Sequence, residues 1–290
     1  MIFLASILAP IIVLGCLYSL LGAGFVIIYK ANRILNFAHA ELVVLSAYIT
    51  VSITGFIGNN VIDLLITLFI AFLLGLIVYY LLIKPLVGYS ILSPIMVTVA
   101  LGVVLNAITI LIWRGRMECI PLSWRGYYSF PGGFRLSSAE FIIIAGTTLY
   151  FIVMGLFYRF SKTGQRMRGT AERPLLAAQR GIKIYSISAL AWGLGFVTLA
   201  FSAILLGINF SVSLQMGNMA ILGFVVALVG GLDSLKGAIP AGFIIAATQQ
   251  LAVYFVNARL SAAIPFFILL LVLICKPWGF FGTEEEIERV

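Results

Sequence analysis

Apolar stretches about twenty residues long follow one another along nearly the whole chain, broken by short polar segments. A helix of ~20 apolar residues crosses the hydrocarbon core of a bilayer. Lipid offers backbone N–H and C=O groups no partner, so a crossing segment must satisfy them internally. The candidate spans are 5–29, 37–57, 61–83, 91–113, 139–158, 186–208, 212–229, 238–256 and 261–276, of which 261–276 is short and 212–229 only just long enough. The expected fold is an all-α, polytopic membrane protein of eight or nine transmembrane helices with polar-interrupted segments. Only 10% of the residues are charged, against roughly 25% in a soluble domain. No polar stretch reaches the ~50 residues of a separate domain, so residues 1–290 read as one membrane domain.

Charge then orients the chain. The net charge is +8, and in a membrane protein such an excess belongs to cytoplasmic loops rather than to a nucleic-acid partner. Loop 159–185 holds Arg159, Lys162, Arg166, Arg168, Arg173, Arg180 and Lys183 against Glu172 alone, and is expected inside the cell. Counting from it places Lys30, Arg33, Lys84 and the tail TEEEIERV inside and loop 113–138 outside. Arg114, Arg116, Arg125 and Arg135 in that outer loop run against the bias, although its Trp and Tyr residues suit an interfacial position. Nine crossings put the N-terminus outside; one re-entrant stretch would bring it inside.

The first interruption is ANRILNFAHAE, residues 31–41, with the chain's single histidine. On an unbroken helix Asn32, Asn36 and His39 share a face, while Glu41 points nearly opposite, with Phe37. Either the backbone is broken here or these side chains serve two neighbours. Polar groups inside a span usually face the bundle interior or a water-filled cavity, and a boundary position with Lys30 and Arg33 at the headgroups is the plainer alternative. Asn36, His39 and Glu41 are candidate pathway or gating residues. The second interruption, GFVVALVGGLDSLKGAIPAG at 223–242, has a glycine pair, an acid, a base and a proline. Gly230, Gly231, Asp233 and Ser234 are candidates there, with an ordinary cytoplasmic turn as the alternative. A broken polar segment in each half is a pointer to a translocation pathway between repeats.

Within loop 159–185, Pro174 suits the first turn of a helix and Gly181 the left-handed residue after its end. They bracket a helix of about two turns, too short to be stable alone in water. Leu175 and Ala178 on one face, within a basic frame, make it a docking element for a partner; the anionic inner leaflet is the competing surface. Thr163 is a candidate cap upstream.

Catalytic machinery is absent from the sequence. No GxxxxGK[ST] is present for nucleotide, no GxSxG elbow for nucleophilic catalysis, and one histidine with Cys16, Cys119 and Cys275 widely spaced builds neither a metal site nor a disulfide framework. No cofactor is expected on this chain, and any ATP hydrolysis belongs to another polypeptide.

Three stretches carry a family resemblance. NFAHAE at 36–41 resembles the N-F-A-H-G-E of LivH-type permease subunits of importers for branched-chain amino acids, urea or short-chain amides, with Ala40 at the usual Gly. GQRMRGTAERPLLAAQRGI at 164–182 resembles their coupling segment, with Gly169 where Ala is usual, and VGGLDSLKGAIPAG at 229–242 their late Gly-rich stretch. The resemblance implies a multi-pass permease subunit in the cell membrane, part of an ATP-binding-cassette importer. It implies a second, LivM-like permease, two cytoplasmic ATPase subunits and an extracytoplasmic substrate-binding protein. Gly164, Arg166, Arg168, Glu172, Pro174, Leu175, Ala178 and Gly181 are then the ATPase-coupling residues. The rival is a gradient-driven carrier working alone, with His39, Glu41 and Asp233 as a relay.

Overall fold

The computed structural model describes residues 2–90, 92–122, 126–130, 134–172 and 174–283, with side chains left aside at 2–6, 129–130, 134–135 and 174–175. Arg125, Arg173 and the tail residues 284–290 lie outside the described residues, as do the side chains of Arg135, Pro174 and Leu175.

Eleven helices are described: α1 (Ile2–Asn32), α2 (His39–Phe56), α3 (Asn60–Val78), α4 (Leu92–Trp113), α5 (Ser138–Phe160), α6 (Lys162–Glu172), α7 (Pro174–Gln179), α8 (Ile184–Asn209), α9 (Met216–Gly230), α10 (Leu235–Phe255) and α11 (Ile264–Cys275). α3 continues through a π turn, Tyr79–Ile83, and a 3-10 turn, Lys84–Leu86. Seven helices are long and apolar enough to cross a membrane, and α9 and α11 are shorter apolar helices of 15 and 12 residues. Together they account for the nine expected stretches, so the chain is a multi-pass membrane protein.

Burial falls steeply from the centre outward. The apolar windows of α1 and α8 are 89% and 78% buried, those of α4 and α5 only 17% each. α10 packs along α1 and α3 along α8; α9 packs on α1 and α2 on α8; and α2 and α9 meet each other. Exchanging α1–α4 for α8–α11 maps this packing onto itself. α1 and α8 pack antiparallel, Gly24 against Leu199 and Gly195 against Ile28, so the two halves are inverted repeats, joined by α5 and the short helices α6 and α7. The repeat is not visible residue by residue, because lipid-facing and core positions ask only for apolar character or small size. A Cβ on Gly75 would lie 2.7 Å from the Trp192 carbonyl oxygen, so α3 and α8 approach backbone to backbone, as small residues allow in membranes.

Loop 113–138 has local structure that its charge did not announce. Strands β1 (Tyr127–Phe130) and β2 (Phe134–Ser137) pair antiparallel. The hairpin runs straight into α5 through a capping box: the Ser137 hydroxyl accepts from the Glu140 N–H at 3.3 Å, and the Glu140 carboxylate accepts from the Ser137 N–H at 2.7 Å.

Candidate functional site

At ANRILNFAHAE the backbone is broken. α1 stops at Asn32, Arg33 takes a left-handed φ of 56°, and the chain runs back into the bundle before α2 starts at His39. The freed groups find partners within the protein. Asn36 Oδ1 accepts from the Ala38 N–H at 3.1 Å, and Thr98 Oγ1 of α4 accepts from the Phe37 N–H at 3.2 Å. Asn32 ends α1 against α8, its amide oriented to donate to Ser188 Oγ at 2.6 Å and accept from Trp192 Nε1 at 2.5 Å.

His39 stacks on Phe25, ring centroids 3.5 Å apart at 14°. Phe25 lies seven residues before the end of α1, which at ~1.5 Å per residue is about 10 Å into the bundle. The imidazole is 1% exposed, and neither of its nitrogens makes a well-formed hydrogen bond. It is a core side chain, as is Asn36, also 1% exposed. Glu41, two residues on, turns the other way. It is half-buried and accepts from Asn106 Nδ2 of α4 at 2.9 Å. Glu41, Asn106, Phe37, Gly102, Val99 and Val103 line a crevice of about 380 Å³. Val103 is 67% exposed, so this crevice opens on the outer flank of the chain and not toward α1 and α8. The three polar residues therefore do not form one site: the break hands His39 and Asn36 to the core and Glu41 to the α4 flank.

The second half carries a matching break. After α8 the chain turns back through residues 210–215, and α9 starts against the first turn of α2, where a Cβ on Gly217 would lie 3.7 Å from Val44 and 3.9 Å from Ala40. The first turns of α2 and α9 thus meet inside the bundle.

Gly230 and Gly231 end α9 at the opposite end of the bundle, on the side of Lys30 and α6. Gly231 has φ 103°, and a side chain on Gly230 would meet the Gly237 carbonyl at 2.5 Å. Ser234 Oγ caps α10 by accepting from the Gly237 N–H at 3.2 Å. Residues 276–283 cross this turn as a strap: Phe280 and Phe281 donate N–H to the carbonyls of Val229 and Gly230 at 2.9 and 3.1 Å, and Thr283 donates its hydroxyl to Asp233. Asp233 and Ser234 border a cavity at this end that shares no residue with the Glu41 crevice.

The loop after α5 is built for placement. The α6 cap is Ser161, whose Oγ accepts from the Gly164 N–H at 2.8 Å, rather than Thr163. Gly164 lets α6 press on the Phe157 carbonyl with no room for a Cβ. Met167, 3% exposed, packs into a cluster with Ile187 and Ala191 of α8. Arg166 and Glu172 stay exposed, and Arg168 is half-buried. α7 closes in a Schellman motif: the Ile182 N–H donates to Ala177 at 3.1 Å, the Gly181 N–H to Ala178 at 2.9 Å, and Gly181 has φ 77°. Ala177 faces inward, while Leu176 and Ala178 are exposed. The outer face of α7 is therefore bare.

Asn106 and Ser161 escaped the reading from sequence. Asn106 was visible as the lone amide within the apolar run LGVVLNAITIL; Ser161 was visible as a serine three residues before Gly164, where a cap belongs. Among the described residues no three His, Cys, Asp or Glu side chains gather as metal ligands.

Residues 7–273 match the family described as the permease component of the branched-chain amino acid transport system. The chain is 25% identical to the high-affinity branched-chain amino acid transport system permease protein BraD of Pseudomonas aeruginosa, over 95% of this chain and 94% of that protein. It is 26% identical to the LivH permease protein of Escherichia coli K12, over 96% and 95% of the two chains. A probable LivH from Methanocaldococcus jannaschii is 24% identical over 98% and 95%. Among solved structures, PsaBC from Streptococcus pneumoniae in complex with a Fab aligns over 91% of each chain at 13% identity, with a TM-score of 0.48.

Proposed function

The chain belongs to the permease components of branched-chain amino acid transport systems, and we propose that it forms one half of the membrane pathway of an ATP-binding-cassette importer in the cell membrane. It carries a branched-chain amino acid or a related small amide. A second, related permease lies against the α2–α4 flank, two ATPase subunits dock on α6 and α7, and an extracytoplasmic binding protein delivers the substrate. ATP stays on the ATPases, and no cofactor is needed on this chain.

The observation that carries this reading is Glu41. Its carboxylate is half-buried, held by a neutral amide, on a flank that the chain leaves uncovered. A carboxylate turned to lipid is costly, so this flank calls for water or protein beyond it. A pathway between two permeases supplies both. The carboxylate is suited to the ammonium group of an amino acid, and the neighbouring Val99 and Val103 to its aliphatic side chain. The coupling residues follow the same logic. Gly164, Ser161 and Met167 fix α6 on the spans, and Gly181 fixes the exit of α7, so a push on the bare outer face of α7 is delivered to α5 and α8.

A gradient-driven carrier would need a connected relay. His39 sits in the core without a well-formed hydrogen bond, Asp233 is held by Thr283 at the inner end, and Glu41 opens on another flank. That separation favours the importer.

The test uses cysteine accessibility in the assembled transporter. With Cys119 and Cys275 replaced by Ser, a Val103→Cys variant is expected to react with a membrane-impermeant maleimide and to be protected by substrate. A Val103→Cys variant that is inert to the water-soluble reagent but labelled by a lipid-soluble one would overturn the pathway assignment.

A further inference from the structure

At the cytoplasmic end, α5 and α10 both pack on α1 but make no extensive contact with each other. The gap between them is a cavity of about 860 Å³. Its two ends differ in chemistry. The inner rim carries Lys30, Arg33, Arg159, Arg168 and Lys236, against the carboxylates of Glu172 and Asp233. Deeper, one to two turns toward the membrane centre, the walls are Val26, Ile27, Phe151, Ile152 and Leu156. Gly155 leaves the α5 wall open, because a Cβ there would touch nothing within 4 Å. The first turn of α10, from Ser234, also borders the rim, and a helix N-terminus adds positive potential.

We propose that this cavity binds one anionic phospholipid of the inner leaflet, its phosphate among the rim cations and an acyl chain along the α1–α5 trough. The argument is charge complementarity in register with depth. The rim cations sit at the ends of α1 and α5, on α6 and at the start of α10, at headgroup level, where anionic lipids attract basic segments. The apolar trough begins about one helical turn further in, ~5 Å, where acyl chains begin. A free phosphate would satisfy the rim and leave the trough to water. A phospholipid satisfies both ends. Bound there, it would tie α6 to α1 and α5. This inference rests on the membrane placement of the chain and on its cytoplasmic loop, not on the substrate or partners proposed above.

The experiment is native mass spectrometry of the purified transporter complex, exchanged into detergent with equal phosphatidylglycerol and phosphatidylethanolamine. One phosphatidylglycerol per copy of this chain is expected to survive delipidation. The double variant Lys30→Gln/Arg159→Gln is expected to retain about tenfold less, since each basic residue near the surface contributes measurably to anionic-lipid binding. Gly155→Phe plugs the trough without changing charge, and is expected to lose the lipid while the complex stays assembled. Excess inorganic phosphate is expected to leave the lipid in place. Equal retention of the two phospholipids, or displacement by inorganic phosphate together with full retention in Gly155→Phe, would overturn the proposal. So would lipid binding seen only after removal of residues 284–290, which would assign the cavity to the chain's own acidic end. Uptake by the complex is not the readout, so a failure here leaves the permease reading standing.

Discussion

Replacing Glu41 by Gln changes one property of the α4 flank at a time. The amide keeps the shape of the side chain and an oxygen that accepts from Asn106 Nδ2, now 2.9 Å from the carboxylate. It removes the charge. A hydrogen bond to a charged group contributes about 1.5–3 kcal/mol, against roughly 1 for a neutral pair. If the substrate ammonium meets Glu41 on its way through, its barrier rises by up to about 2 kcal/mol in Glu41→Gln, up to about thirtyfold in uptake. Asn106→Ala keeps the charge and loses only its orientation, so its expected loss is smaller, about fivefold, from roughly 1 kcal/mol. Both sites are only partly buried, so neither change should unfold the protein. The assay is initial uptake of radiolabelled leucine, isoleucine and valine into proteoliposomes holding the complete transporter, ATP and the binding protein. Assembly is checked by the recovery of partner subunits with each variant. Glu41→Gln with normal assembly and uptake within about twofold of wild type would refute the reasoning, whatever Asn106→Ala does.

Other consequences lie at the cytoplasmic end. Gly181→Pro cannot adopt the left-handed φ of 77° and loses an N–H that closes the Schellman motif; ATPase subunits are expected to be lost on purification while the chain stays inserted, and their normal recovery would contradict the docking role of α7. Ser161→Ala removes the α6 cap at a cost of about 1 kcal/mol, which should appear as faster amide exchange in α6 with the spans unchanged. Gly231→Ala places a side chain at φ 103° and against the strap at Gly282; strain of about 1–3 kcal/mol should lower the thermal midpoint in detergent, and an unchanged midpoint would mean that the strap yields.

The spans were legible because a bilayer imposes one length and one composition, and every expected stretch from 5–29 to 261–276 is occupied by a helix. The short helix Pro174–Gln179 was legible for a local reason, since Pro174 and Gly181 are each suited to one end of a helix. What lay hidden depends on tertiary register. On an unbroken helix Asn36 and His39 share a face that Glu41 does not, but the sequence leaves open whether the backbone breaks; the six residues 33–38 between α1 and α2 send Asn36 and His39 into the core and Glu41 to the α4 flank. The inverted repeat was hidden because its two halves share packing and direction rather than residues. The strap over Gly230 and Gly231 joins segments about fifty residues apart, and nothing local in KPWGFFG foretells where it lands. The hairpin in loop 113–138 leads into α5 through the Ser137–Glu140 box, a short-range signal in the sequence that the loop's charge pattern does not carry.

The central claim is that this permease works only as part of an ATP-driven assembly. The most direct measurement is affinity purification of the tagged chain from gently solubilised native membranes, with identification of what accompanies it, alongside an Ala178→Glu variant on the bare face of α7. The account predicts a second permease and a Walker-A ATPase with the wild type, and loss of the ATPase with Ala178→Glu. Recovery of the chain alone, under conditions that keep a known membrane complex intact, together with uptake driven by an ion gradient without ATP, would contradict it.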